Sequence, residues 1–475
     1  MSPRRRQLIA TIDQGSTSTK GAVYDTAGRK LDELSFPVHR QTDGTQVTHD
    51  PEQLAASVFE TLETLLLRHS ISAIGLTCQR STCLLWERKT SLSLTEARSW
   101  QDRSQAHAAA RLSRHERDIA RRTGLRLSPH YAALKLASLL RRDRGHKKGA
   151  LDGTVVAGTL DAFLMHRLTG RPATEPSHAG RTLLFNLLTG RWDPKLSRLF
   201  GIPETALPEL RPSAGRWGSY RGIPVTGSIG DQQAALLGHG GWRRGIAATH
   251  FGTGAFVLTS TGSRVITHSK LLSAALATTR RTRRYQLEGS VNSAGAAIDW
   301  AARLARRKLG KWHPKTMDPE ELPRVFPAFA GAATPWWEPR AAAVVAGIHP
   351  ESGGDEILAA TVHAVAMRVL DCIETFADAG VPTRKLRVSG KLTRLEPLVS
   401  ALADVGQIEV RVSEEEETGL LGVSRLALAG LEGKMAPLTL EPGSSRLLEP
   451  TWPAERARRE RKRWRTFVAR ALAHT

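Results

Sequence analysis

Short apolar runs set off by hydroxylated glycine turns mark the start of the chain. "LIATID" (8–13) reads as a strand, "QGSTST" as a tight loop, and "KGAVYDTAGRKL" as a returning strand and turn. "ISAIGLTCQ" (71–79) is a further buried strand, followed by "RSTCLLWE". From about residue 103 to 170 the apolar spacing becomes helical, as in "ALKLASLLRR" and "TLDAFLMHRLTG". "RWGSYRGIPVTGSIGDQQAALLGHG" then leads a strand through a glycine turn into an apolar helix. Past Gly240 the opening pattern returns: "GIAATHFGTGAFVLTSTGSRVI" (245–266) is again strand, Gly/Thr loop, strand and turn. "KLRVSGKLTRLEPLVSALADVG" follows as strand, loop and helix. Two similarly built α/β domains, 1–240 and 241–475, are expected, with a cleft between them.

Length supports that division, because 475 residues exceed one ordinary core and suit two domains of roughly 200. No run approaches the roughly 18 apolar residues of a membrane span. The start "MSPRRRQLIATID" has the basic end of a signal peptide, but its apolar stretch stops at Asp13. Cys78, Cys83 and Cys372 are too few for a disulfide framework, and no CxxC pair suggests zinc. A cytoplasmic location is the expectation.

Charge changes the picture more. Lys and Arg number 68 against 46 acids, a formal +22, which suits nucleic acid, an anionic surface or a polyanionic small molecule such as a nucleotide. The basic residues are spread along the chain, with one dense run at "ERARRERKRWR" (455–465). Trp464, Phe467, Val468 and Leu472 recur there at helical spacing, so the run reads as an amphipathic helix with one docked and one solvated face. No motif that reads DNA or RNA accompanies it, and nucleic acid is not the expected partner.

A Gly/Ser/Thr hairpin after a buried strand presents backbone N–H groups and hydroxyls to an anion, which suits phosphate. In "DQGSTSTK", Asp13 stands where a carboxylate can hold a metal ion, and Lys20 lies across the loop within reach of a phosphate oxygen. "FGTGAF" (251–256) offers a second such loop. Neither is a P-loop, and the second lacks the third glycine of the dinucleotide fingerprint. Asp231, alone at the mouth of an apolar helix, has two readings. It caps that helix, or it is a base that takes the proton of an acceptor hydroxyl in phosphoryl transfer.

These segments together resemble the FGGY family of carbohydrate kinases, its glycerol kinases most closely, and they do so in order along nearly the whole chain. The motifs are "IDQGSTSTK", "GLTCQRST", "WQDR" (100–103), "GTLDAFLMHRLTG", "RTLLFNLLTGRWD", "IPETALPELRPS", "GDQQAALLG", "THFGTGAFVLTSTG", "LEGSVNSAGAAIDW" (287–300) and "PAFAGAATPWWEPRAAAVVAGI" (327–348). The resemblance implies an α/β fold of two duplicated actin-like, ribonuclease-H-like domains with ATP and Mg²⁺ in the interdomain cleft. It implies Asp231 as general base, and Asp13, together with Asp231, as metal ligands. Thr17, Lys20, Thr253, Gly254, Gly295 and Gly390 would hold the nucleotide. Arg80, Ser81, Trp100, His130, Gln232 and Phe256 would join Asp231 around a small polyol or sugar. A homo-oligomer, a dimer, is expected.

The chain departs from the glycerol-kinase pattern at Lys20, where that group has arginine, and at three further places. Ser81 stands where that group has the glutamate of "QRE", and His130 in "PHYAALK" stands where it has the tyrosine of "PYFSGTK", with Tyr131 next door able to take over the role. Both fall on the acceptor side. Ser389-Gly390-Lys391 replaces "DGG", and a lysine there would either crowd the nucleotide or reach a phosphate. A silent sugar- or nucleotide-binding regulatory protein of the same fold is therefore the alternative to an active kinase.

Overall fold

The computed structural model describes residues 7–314, 316–434, 438 and 443–473. The first half is built on β1 (Leu8–Gln14), β2 (Ser18–Asp25), β3 (Lys30–Pro37) and β4 (Ala73–Cys78). β1 and β2 form an antiparallel hairpin that sets Asp13 opposite Lys20, and β4 runs parallel to β1. The crossover between β3 and β4 is α1 (Pro51–Arg68), started by Asp50, whose side chain accepts from the Glu52 N–H, and by Pro51 in its first turn. Its Leu54, Val58, Leu62 and Leu65 stripe closes over Ile12 and Val23 of the sheet.

Beyond β4 the chain inserts a smaller sheet containing β5 (Cys83–Glu87) and β6 (Val155–Thr159). Helix α2 (Ala132–Arg142) packs its Leu136, Leu139 and Leu140 against Leu85 and Ala157 of those strands. The chain then rejoins the first sheet as β7 (Ala214–Tyr220) and β8 (Ile223–Gly230), giving the order β7-β8-β4-β1-β2-β3. β8 is parallel to β4 and runs directly into α3 (Asp231–Gly238).

The second half repeats the plan. β9 (Ile246–Phe251), β10 (Ala255–Gly262), β11 (Leu272–Thr278), β12 (Arg283–Val291), β13 (Lys385–Ser389), β14 (Glu409–Ser413) and β15 (Ser445–Leu448) lie in the order β11-β12-β10-β9-β13-β14-β15. Both sheets share one core: an antiparallel meander beside two strands parallel to the first, with helical crossovers. The helices are α4 (Gly295–Leu304), α5 (Gly354–Asp378), α6 (Glu396–Gly406), α7 (Thr418–Glu432) and α8 (Ala454–Ala473). Of these α5 is almost wholly buried, with Val365 and Val369 meeting Val257, Leu287 and Leu386.

The basic run is α8, and it docks as its pattern predicts. Trp464 and Val468 enter the second core, and Phe467 and Leu472 pack at its edge. Arg461 is buried with them, paired with Asp371 at 2.9 Å and Glu374 at 2.7 Å. Arg458, Arg459, Lys462 and Arg463 stay on the exposed face. The three cysteines are buried free thiols. Among the described residues no helix is long and apolar enough to cross a membrane.

Helix α7 packs on the first sheet and along α3 although it comes near the end of the chain. The two helices meet with no side chains between them. A Cβ on Gly422 would fall 1.8 Å from the Ala234 carbonyl oxygen, and one on Gly238 would fall 1.9 Å from that of Thr418. Any side chain must therefore push the helices apart. Gly422→Ala should cost about 2–3 kcal/mol or more in thermal unfolding, as overpacked cores do. Gly310→Ala, with open space at its Cβ, should fall within about 0.5 kcal/mol of the wild type. Equal melting of both variants would rule out the close approach.

Candidate active site

The parallel strands of both sheets end on one region, where ligands of open α/β sheets bind. From the first half it receives Asp13 at the end of β1, Arg80 just past β4, and Asp231 just past β8. From the second it receives Thr253 past β9, Gly390 past β13, and Glu417 ahead of α7. Contacts close the region: Lys20 pairs with Glu417, and the Arg80 guanidinium lies 5.8 Å from the centre of the Phe256 ring.

Asp231 is the first residue of α3, and Gly230, which has no side chain to offer, occupies the cap position. The capping reading therefore fails. The carboxylate gains instead from the helix N-terminal dipole. Its Oδ1 accepts from the Gln232 N–H at 2.8 Å and lies 3.1 Å from Arg80 Nε. Oδ2 has one long contact, from Gln232 Nε2 at 3.4 Å. The Gly230 N–H donates to the Ser177 hydroxyl at 2.8 Å, and that hydroxyl in turn donates to buried Glu175, so the turn is held from behind.

Asp13 is the electrostatic outlier. Its Oδ1 is shut off from solvent without a hydrogen-bond partner. Burial, then the charges of Asp231 and Glu417, push its carboxyl up to about 7, against the opposing pull of Lys20. A buried orphan oxygen beside two further carboxylates suits a cation. Among the described residues no three His, Cys, Asp or Glu side chains gather to enclose a metal by themselves. Mg²⁺ needs no such cage, since it keeps several waters and takes one or two carboxylates. The residues present therefore fit a magnesium ion carried with a phosphate ligand.

Thr253, Gly254, Gly295 and Gly390 come together as expected. The Thr253 carbonyl accepts from the N–H groups of Ala294 and Ala296, seating the loop on the first turn of α4. A Cβ on Gly295 would lie 2.5 Å from the Gly252 oxygen, and Gly390, at φ +98°, sits as close to that of Phe251. Thr17 is exposed at the tip of the first hairpin. Lys391 is exposed, so it does not fill the interior. The Ser389 hydroxyl lies 3.1 Å from both His239 Nε2 and His250 Nδ1.

Arg80, Asp231, Gln232 and Phe256, expected around an acceptor, converge, and the sequence reading missed two of their neighbours. Glu288 of β12 is 1% exposed, accepts from Arg80 Nη1 at 2.9 Å and is also paired with Arg181. Burial alone would raise its carboxyl, but Arg181 and Arg80 outweigh that and hold it below the usual range. A lone acid in the apolar strand "YQLEGSV" was the available signal. Ser81 and Trp100 lie beside this cluster on loops of their own, and Ser81 holds a left-handed backbone at φ +67°. His130 does not reach the arginines: it is exposed, with Nδ1 3.0 Å from the Trp100 carbonyl oxygen. Tyr131 is the buried neighbour, with Arg181, Glu288 and Arg80 acting on its phenol.

Two glycine–hydroxyl loops, the acids Asp13, Asp231 and Glu417, and the buried Arg80–Glu288–Arg181 cluster thus lie at the strand ends of the two halves. Residues 8–238 match the N-terminal domain of the FGGY family of carbohydrate kinases, and residues 247–431 match its C-terminal domain. A glycerol kinase of Methylobacterium nodulans is 35% identical, with 89% of each chain covered. One from Citrifermentans bemidjiense is 34% identical over 98% of this chain and 99% of its own. The crystal structure of Plasmodium falciparum glycerol kinase with ADP superposes with a TM-score of 0.89, at 25% identity over 98% of each chain. The xylulose kinase of Rhodospirillum rubrum shares the fold, with a TM-score of 0.84 at 19% identity over 98% of this chain and 99% of that one. The chain belongs to the FGGY family of carbohydrate kinases and is an enzyme of the carbohydrate- or polyol-phosphorylating class.

A carboxyl raised to about 7 binds a proton in the folded state that the unfolded chain, near 3.8, releases earlier. Asp13 therefore lowers stability progressively as pH rises from about 4 to 7. Asp13→Asn should melt higher than the wild type at pH 8, by on the order of a few kcal/mol, and equally at pH 3.5. A pH-independent gap would refute the raised carboxyl.

Proposed function

We propose that this protein transfers the terminal phosphoryl group of ATP to a hydroxyl of a small polyol or sugar, with Asp231 as general base. The observation that supports this is Asp231 at the head of α3, close to Asp13 of the first half and His250 of the second, with Oδ1 anchored by Arg80 and the Gln232 N–H. That anchoring leaves Oδ2 as the oxygen that takes the acceptor's proton. The freed oxygen bonds to the γ-phosphorus as the bond to the bridging oxygen breaks, and ADP leaves with that electron pair.

The backbone of the 14–18 hairpin and of Thr253-Gly254 faces the phosphates, and Gly295 and Gly390 let main chain approach them. Asp13, with Asp231 close by, would hold Mg²⁺, whose chemistry is to neutralise charge on the β- and γ-phosphates. Lys20 moves from Glu417 to a phosphate oxygen when nucleotide arrives. Arg80 and Arg181 present their forks to acceptor hydroxyls while Trp100 and Phe256 cover its carbons. Closing the two halves excludes water, which would otherwise accept the phosphoryl group.

The glycerol kinases among the relatives favour a polyol. Ser81 removes a carboxylate that would accept from one hydroxyl, so the acceptor is read by Arg80, Glu288, Arg181 and Tyr131. An ADP-release screen over glycerol, tetritols, pentitols and ketoses should show stimulation by one class. Asp231→Asn should keep nucleotide binding and lose about 10²–10⁴-fold in turnover. Near-wild-type turnover would remove the base assignment, and indifference to every acceptor would remove the kinase reading.

A further inference from the structure

Lys135 lies in the first turn of α2 and is 1% exposed, with no carboxylate bonded to its ammonium. Its Nζ donates to three main-chain carbonyls: Ser81 at 2.8 Å, Ser99 at 2.8 Å and His130 at 2.9 Å. Those carbonyls belong to three separate loops, each of which carries an acceptor-side residue: Ser81, Trp100, and the His130-Tyr131 pair. Cross-ties link the same loops, since the Trp100 N–H donates to Thr82 Oγ1 at 3.1 Å and His130 Nδ1 lies 3.0 Å from the Trp100 oxygen. An ammonium has three N–H bonds and no lone pair, so all its hydrogen-bonding capacity goes to these three loops.

A buried lysine is expensive unless its bonds are worth keeping. A hydrocarbon side chain would fill the same space at lower cost if packing were its only task. Ser81 adds a reason for the bonds: a serine in the left-handed region must be held there by its surroundings, and its own carbonyl is one of the three that Lys135 grips.

We propose that Lys135 is the positioning residue of the acceptor pocket, fixing the loops of Ser81, Trp100 and Tyr131 relative to one another without touching the acceptor. The reading rests on the kinase assignment for what the pocket binds, but the loop-holding itself does not. Burial lowers the ammonium to about 8. The groups around it are Cys83 of β5, the Arg98–Asp102 pair at 2.9 Å and His130. Burial pushes the Cys83 thiol up to about 11, and the protein packed against one side of the otherwise exposed His130 ring, with the charges of Lys135 and Arg103, holds it below its ordinary value, so neither titrates between pH 7 and 9.5. Above pH 8 the neutral amine has two N–H bonds for three carbonyls, and one loop is released.

The test uses the full chain and Lys135→Met, with glycerol, xylitol and D-xylulose as probe acceptors at saturating Mg–ATP. The KM of whichever probe turns over should rise tenfold or more, with the KM for Mg–ATP changed less than twofold. Amide hydrogen exchange should accelerate together at 80–83, 99–101 and 129–131, with 251–256 unaffected. Equal rises in both KM values, or loosening shared by 251–256, would reduce Lys135 to a general structural residue and overturn the proposal. If no probe is turned over by the wild type, the kinase reading fails for those acceptors, and the exchange measurement alone decides the role of Lys135. Should the variant not fold, both readouts are made on the wild type at pH 7 and 9.5. Selective loosening of the three loops at the higher pH is expected, and unchanged protection after correction for intrinsic exchange would overturn the proposal.

Discussion

The constraint on which the rest depends is the contact between α3 and α7. Glycines on both helices remove the side chains that would keep the axes apart, so backbone packs on backbone. One consequence is that a segment late in the chain becomes part of the wall of the first sheet. Another is that the N-terminal ends of the two helices are tied together, one opening on Asp231 and the other just after Glu417. Asp13 at the end of β1 then faces both acids. The like-charge cluster follows from that geometry, since acids at positions 13, 231 and 417 cannot meet by local folding.

Charge on the acceptor side is balanced differently. Glu288 is buried between Arg80 and Arg181, crossing from the second sheet to the first half. A buried carboxylate with two guanidinium partners is well compensated, whereas removing one partner would leave an uncompensated charge. Arg80 also reaches Asp231, so the residue that shapes the pocket also anchors the acid beside it. Around Asp13 compensation is incomplete: its Oδ1 has no hydrogen-bond partner, and the nearby Lys20 is paired with Glu417.

Much of this was legible in the letters. The strand–loop–strand openings at 8–25 and 246–262 have a local origin: apolar runs of strand length, hydroxylated glycine turns, and a second run that returns. The loop at 251–256 was readable for the same reason, whereas Thr253, Gly254 and Gly295 were singled out only through the family resemblance. The docked face of α8 was readable from its period alone. Glu288, Arg181 and Lys135 were not, although each stands as a charge in an apolar segment, because what compensates each lies on another element. The resemblance aligned position 130 with a pocket tyrosine and left Tyr131 as its substitute, and the path of the loop into α2 exposes His130 and buries Tyr131.

By itself the sequence determined two α/β halves, the strand–loop–strand units that open them and the family to which they belong. These follow from periodicity, turn chemistry and ordered motifs, all written within short windows. Only the tertiary structure decided that Gly230 rather than Asp231 occupies the cap position, that burial and two neighbouring acids raise the Asp13 carboxyl, and that one buried ammonium bonds carbonyls of three separate loops. Each depends on distance between residues far apart in the chain, and burial and Coulomb interaction respond to that distance, not to sequence order.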